Sequence, residues 1–113
     1  MALNVWALDK DQSIKQVLIR LQSHLGKNEF IIEDSSRLDM RAVFLQHRTD
    51  PEYRVYLYTL GQAENRYAIH LEYPGSMSNV KTIDAYENLG LRALVDILEV
   101  HFDIAEIHEL SSF

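Results

Sequence analysis

The chain contains no cysteine, only two prolines and only four glycines among its 113 residues. Without cysteine it can form no disulfide bond, no thiolate nucleophile and no cysteine-based zinc or iron–sulfur site. Low glycine and proline contents exclude collagen-like and low-complexity sequences. No apolar run approaches the ~20 residues that span a bilayer, and neither end carries a secretory or lipidation signal. The sequence therefore predicts a cytoplasmic protein without a membrane partner.

What is present is the composition of an ordinary globular domain, with 47% hydrophobic and 25% charged residues. A chain of this length corresponds to one domain, so residues 1–113 are predicted to fold as a single unit. Surface scaling indicates that about two-thirds of the unfolded chain's surface becomes buried, which is enough for a hydrophobic core.

Basic residues are scarce in the last part of the chain. The formal net charge is −6, and from residue 84 onward Arg92 is the only Lys or Arg beside seven acidic residues. An acidic protein lacks the surplus of cations that gives affinity for nucleic acid through counterion release. We therefore expect neither nucleic acid nor an anionic membrane as a partner, whereas a basic protein stays possible.

Two helices are predicted from hydrophobic periodicity. The first covers residues 10–25, because apolar residues recur there at helical spacing, namely Ile14, Val17, Leu18, Leu21 and Leu25. Gly26 follows as a C-cap. The second runs to about Phe102 and has two possible starts. One is capped by Asp84, and the other lies at Asn88 with residues 80–85 then extended.

Short alternating segments predict strands over residues 3–8, 29–34, 40–47, 53–60 and 66–73, with an optional last strand over 104–110. Short loops make the middle strands antiparallel neighbours. The predicted fold is α+β: a two-layer sandwich with a mainly antiparallel sheet of about five strands and two helices on one face, in the order β-α-β-β-β-β-α.

No catalytic motif is present. The five histidines lack the spacing of metal ligands, and the four glycines cannot form a phosphate-binding loop. No serine lies in a nucleophile elbow. We therefore predict no enzyme, no cofactor and no tightly bound metal. The alternative is a small-ligand or metal site on the open sheet face near His47, His70 and Glu72.

One predicted interaction surface is rich in tyrosine and arginine. Alternation along the strand over 53–60 places Arg54, Tyr56 and Tyr58 on one face, and Arg66 and His70 of the next strand join them. Tyrosine and arginine are enriched at interface hot spots. The other interpretation is that these side chains stabilise an exposed sheet face through cross-strand pairs.

A second predicted surface is acidic. Asp96, Glu99 and Asp103 follow one side of the second helix. They form either a solvated helix face or a docking surface for a basic protein.

The second helix carries two apolar stripes. Leu91, Leu94, Val95, Leu98 and Phe102 form the first, and Ala93, Ile97 and Val100 form the second. A helix that packs on one sheet needs a stripe only a little over 100° wide. Either the helix is wedged between the sheet and the first helix, or the second stripe meets another subunit, most commonly in an isologous dimer. The sequence thus predicts a small, soluble, non-catalytic protein-interaction domain that forms a homodimer.

Overall fold

The computed structural model describes residues 5–33, 40–74 and 83–104. In chain order its elements are a 3-10 helix (Val5–Ala7), α1 (Gln12–Leu25), β1 (Phe30–Glu33), β2 (Ala42–His47), β3 (Arg54–Tyr58), β4 (Tyr67–Glu72), β5 (Ile83–Leu89) and α2 (Leu91–His101). The strands form one antiparallel sheet in the order β1-β2-β3-β4-β5. The predicted α+β fold, with five antiparallel strands and two helices, is confirmed.

Helix α1 has local signals at both ends. The Asp11 Oδ2 accepts hydrogen bonds from the Ser13 hydroxyl at 2.6 Å and from the Ser13 amide at 3.0 Å. These bonds lower the pKa of the Asp11 carboxyl, because they favour its charged form. The helix ends at Gly26, whose φ of 107° would strain any residue with a side chain. All five residues of the predicted stripe are buried, so this helix is confirmed.

The N-terminal segment differs from its prediction. Residues 3–8 are predicted as a strand, but Val5–Ala7 forms a 3-10 helix. Val5 and Leu8 are buried, whereas Trp6 between them is 53% exposed. Burial at every third residue is the period of a helical turn and not the alternation of a strand. The fifth strand of the sheet lies elsewhere in the chain.

That strand is β5, and it decides between the two starts predicted for the second helix. Gly90 is the N-cap of α2, two residues after the predicted cap at Asn88, so the later start is the nearer one and the residues before it are extended. At the other end of α2, the Arg48 guanidinium donates to the carbonyls of Phe102 at 3.1 Å and Asp103 at 3.3 Å. A cation at the carbonyl end of a helix is favourable. Apart from Ile104, the optional strand over 104–110 lies outside the described residues.

The core lies between the sheet and the two helices. Leu45 pairs with Val55, and Val55 pairs with Leu71, so these side chains point to the same face of the sheet. They join the buried residues of both helices in one hydrophobic cluster, including Leu18 and Leu21 from α1 and Leu94, Val95 and Leu98 from α2. Both helices therefore cover the same face, as predicted.

Candidate functional site

Strand β5 and the adjoining side of α2 leave apolar side chains exposed. Six of the seven residues of β5 are exposed, including Ile83 at 57% and Tyr86 at 41%. On α2, Val100 is 83% exposed and Ile97 is half-buried. Helix α2 contacts β4, and β5 pairs with β4 alone. In the part of the chain that the structure describes, no helix covers β5.

A groove of about 380 Å³ lies between β5 and α2. Its floor and walls are mainly apolar and aromatic, with one carboxylate among the described lining residues: Tyr53, Leu71, Tyr73, Tyr86, Asp96, Ile97, Val100 and His101. Binding sites are commonly concave, mostly apolar and supplied with a few polar groups. This groove is therefore the candidate binding site.

The sheet register builds the aromatic end of the groove. Arg54 pairs with Glu72, so their neighbours Tyr53 and Tyr73 stand side by side on the helix face. The Tyr73 and His101 rings pack edge-to-face, with centroids 4.9 Å apart and planes at 86°. Tyr53 lies 5.6 Å from the His101 ring and 6.2 Å from the Tyr73 ring, again close to perpendicular. Edge-to-face packing suits the ring quadrupoles and is favourable.

His101 is a neutral, buried member of this cluster. It is 6% exposed, and its Nε2 lies 3.2 Å from the Arg54 carbonyl oxygen. A carbonyl oxygen can only accept, so Nε2 carries the hydrogen and Nδ1 is an acceptor. Nδ1 has no hydrogen-bond partner among the described residues. Burial lowers the pKa of His101, although its hydrogen bonds to the backbone of Arg54 and Glu72 oppose the effect, so the ring is uncharged at neutral pH.

Two carboxylates stand beside the groove. Asp84 of β5 hydrogen-bonds Tyr73, and burial together with this bond raises the pKa of the Tyr73 hydroxyl. Asp96 of α2 lies 3.5 Å from the guanidinium of Arg92, and both side chains are mostly exposed. An exposed pair of this kind contributes little energy. The groove therefore has an apolar floor and an acidic rim.

The open face of the sheet carries Arg54, Tyr56, Tyr58 and His70, as the strand alternation predicts. The rings of Tyr56, Tyr58 and His70 pack in contact, with centroids 5.4 to 5.8 Å apart. Burial and the nearby charge of Glu87 raise the pKa of the Tyr58 hydroxyl. A role of these residues in binding stays a prediction.

Arg54 makes its contacts within the chain. Its guanidinium carbon lies 3.9 Å from the centroid of the Phe44 ring, a cation–π contact. Two of its nitrogens donate to the Glu72 carboxylate at 3.2 and 3.4 Å, and a third lies 3.6 Å from Glu33. Gln46 also donates to Glu33 at 2.9 Å. This network across four strands favours the interpretation that the open face is stabilised by cross-strand pairs.

The remaining predicted interaction residues are dispersed. Arg66 is exposed just before β4 and lines a second depression of about 260 Å³ at the opposite end of the sheet, beside Arg41 and Thr59. Asp96 lies on the groove. Asp103 adopts a left-handed conformation with φ 52° directly after α2. Among these residues, only Asp96 therefore belongs to the candidate site.

Glu99, the third residue of the predicted acidic surface, is half-buried on α2. Its carbonyl accepts the Ile104 amide at 2.9 Å, which helps to close the end of the helix. Glu99 is absent from the groove lining, so its interaction with a partner stays a prediction.

The three residues of the alternative site, His47, His70 and Glu72, do not share one face of the sheet. Gln46 pairs with Arg54, and Arg54 pairs with Glu72, so these three side chains point to the same, open face of the sheet. His70 lies two residues before Glu72 and points to the same face. His47 directly follows Gln46 and therefore points to the helix face. His47 contacts Phe102 on the helix face. Within residues 5–33, 40–74 and 83–104, no group of three or more His, Asp or Glu side chains could hold a metal ion.

Sequence reasoning identified the second stripe of α2 but missed Tyr53, Tyr73 and His101. His101 follows Leu94 by seven residues, which is a signal that it shares the buried side of the helix. No local pattern could bring Tyr53 and Tyr73 to it. Comparison of the chain with protein-family models, curated proteins and solved structures finds no match. Across the described residues, no helix is both long enough and apolar enough to cross a bilayer.

Proposed function

We propose that the chain is a non-catalytic protein-interaction domain whose partner docks in the groove between β5 and α2. The observation that carries this proposal is Val100, which is 83% exposed at the groove on a helix whose other side is fully buried. With Tyr86, which lines the same groove, it forms an exposed apolar surface rimmed by carboxylates. Such patches are typical of interaction sites, and tyrosine is enriched at interface hot spots.

The second stripe of α2 supports the same role. Ala93 and Val100 are exposed and Ile97 is half-buried, so neither the sheet nor α1 covers this stripe. A second copy of the chain is one candidate occupant, because an isologous dimer buries the same patch on both subunits. A different protein is the other.

The groove supports binding better than catalysis. His101 is the natural acid–base candidate, but its Nε2 is bonded to a backbone carbonyl and its Nδ1 is enclosed. A general base must lie within hydrogen-bond reach of the substrate. Its lining, as far as the structure describes it, contains no serine, threonine, cysteine or lysine that could act as a nucleophile.

Two matched variants test this proposal. Val100→Arg places a charge on the exposed apolar surface, whereas Leu60→Arg makes the same kind of change at a residue that is 54% exposed in the turn after β3. Light scattering measures self-association, and affinity capture from the native cell with mass spectrometry measures other partners. We expect Val100→Arg to abolish dimer formation or capture of the partner, and we expect Leu60→Arg to leave both at the level of the wild type. Equal association of both variants with the wild type would refute docking in the groove.

A further inference from the structure

Next to the groove, the outer edge of β5 has main-chain groups that no described strand pairs with. In the ladder between β2 and β3, the His47 amide donates to the Tyr53 carbonyl at 2.9 Å. The main-chain groups of Arg54 therefore face β4, because these groups alternate in direction along an antiparallel strand.

The same alternation continues across the sheet to β5. Glu72 pairs with Arg54, so the main-chain groups of Glu72 face β3 and those of Leu71 face β5. Leu71 pairs with Asp84, whose main-chain groups consequently face β4. Those of Ala85 face outward, where no described strand pairs with them.

Two common protections against strand addition, proline and lysine, are absent from β5. At seven residues, β5 is the longest strand of the described sheet. The charged residues of β5 are Asp84 and Glu87. A strand from a second copy would bring further negative charge to this acidic edge, which is unfavourable.

The charges around the edge and the groove select a basic occupant instead. Ile83–His101 carries four carboxylates and one cation, Arg92. No lysine or arginine is found among the described residues that line the groove. Tyr53, Tyr73 and Tyr86 add aromatic faces, which attract cations. A basic segment therefore finds complementary charge at Asp84 and Asp96 beside the groove.

We propose that β5 and the groove bind an extended basic segment of another protein as a sixth strand. Main-chain hydrogen bonds to the outer edge around Ala85 would hold the segment, and its alternate side chains would enter the groove. A lysine or arginine fits between the tyrosine rings and Asp96, and an aliphatic residue fits against Val100. The inference rests on the proposed function and adds the chemistry of the partner and its mode of docking.

The test begins with selection of a phage-displayed library of random peptides against the full chain. We expect enrichment of lysine or arginine at alternate positions. Affinity of the enriched peptide is then measured for Ala85→Pro, which removes an outward amide at an edge position where proline is tolerated, and for Asp96→Asn. Glu64→Gln is the control, since it makes the same change of charge at an exposed residue on the far side of the sheet.

We expect Ala85→Pro to lower affinity about tenfold or more, the equivalent of about 1.4 kcal/mol. Asp96→Asn should weaken binding several-fold and reduce its salt dependence, and Glu64→Gln should leave it unchanged. N-methylation of alternate peptide amides should also abolish binding. This last measurement tests strand addition without altering the fold of the protein.

Several results would overturn the inference. These are a selection that enriches no peptide, a selection that enriches acidic or neutral peptides, and a peptide affinity that neither Ala85→Pro nor N-methylation changes. A dimer that Ala85→Pro disrupts would identify a second copy as the occupant and would also overturn it. If Val100→Arg abolishes capture of a partner while Ala85→Pro and Asp96→Asn leave capture intact, docking in the groove stands and the basic strand is wrong. If Val100→Arg leaves capture intact, the proposed function itself is wrong.

Discussion

Phe102 and Val100 lie two residues apart at the end of α2 in opposite environments. Phe102 is fully buried, stacks on Phe30 with ring centroids 6.2 Å apart and meets His47 edge-on at 6.4 Å. A buried phenylalanine removes ~150–250 Å² from water, which corresponds to about 4–6 kcal/mol at ~25 cal/mol per Å². We expect Phe102→Ala to lower the free energy of unfolding by about 3–5 kcal/mol, the usual range for this substitution in a core.

Val100→Ala is the matched comparison. At 83% exposure, Val100 buries less than a fifth of its surface. Full burial of a valine contributes about 1.5–3 kcal/mol, so the substitution forfeits about 0.3–0.5 kcal/mol. The higher helix propensity of alanine offsets a similar amount. We expect the free energy of unfolding to change by no more than about 0.5 kcal/mol.

Urea unfolding followed by circular dichroism measures both changes, with m-values compared to detect any change in the unfolded state. A loss below about 1 kcal/mol for Phe102→Ala would refute the tight aromatic packing at the end of α2. A loss above about 1 kcal/mol for Val100→Ala, with a midpoint that depends on protein concentration, would show that a second copy buries this residue.

The other predictions concern charge and backbone strain. Burial lowers the pKa of His101 below 6.5 in the folded protein. The unfolded protein therefore binds more protons at this residue than the folded protein does. The contribution of neutral His101 to the free energy of unfolding should be complete above pH 6.5 and decline as the pH falls toward the pKa of His101 in the folded protein. Unfolding curves of His101→Gln, measured over the same pH range, should lack that decline. Arg54→Ala removes the charge-assisted hydrogen bonds between Arg54 and the buried Glu72 carboxylate, so we expect it to lower the free energy of unfolding by about 1.5–3 kcal/mol, measured by urea unfolding. In the same assay, Arg92→Ala should change the free energy of unfolding by no more than about 0.5 kcal/mol, because the ion pair between Arg92 and Asp96 is exposed. Asp103→Gly should raise the free energy of unfolding by about 0.5–1 kcal/mol and Asp103→Ala should lower it, because the φ of 52° at this position suits glycine. Thermal unfolding of both variants measures these changes. The reverse order of stability would contradict the backbone strain at this position.

Features encoded locally could be predicted from the sequence. The stripe of α1 and its glycine cap lie within one stretch of chain, and all five stripe residues are buried where the period places them. Alternation likewise predicted β1 to β4 and assigned Arg54, Tyr56, Tyr58 and His70 to one face of the sheet. Short loops then made these strands antiparallel neighbours.

Segments with two compatible local patterns needed the tertiary structure. Val5 and Leu8 satisfy a helical turn or an apolar strand equally well, and the position of the buried core selects the turn. The residues before Gly90 could extend the helix or form a strand. Pairing with β4 decides for the strand, because a sheet edge supplies main-chain partners that the local sequence does not reveal.

The candidate site divides in the same way. Periodicity alone determined that α2 has more apolar surface than one sheet contact buries. Only the tertiary structure placed β5 at the sheet edge and brought Tyr53 and Tyr73 to His101, residues that lie far apart in the chain. It also separated His47 from His70, because the strand register assigns them to opposite faces. Periodicity records which side of its own element a residue occupies, whereas a groove depends on which elements become neighbours, and that is set by the packing of the whole chain.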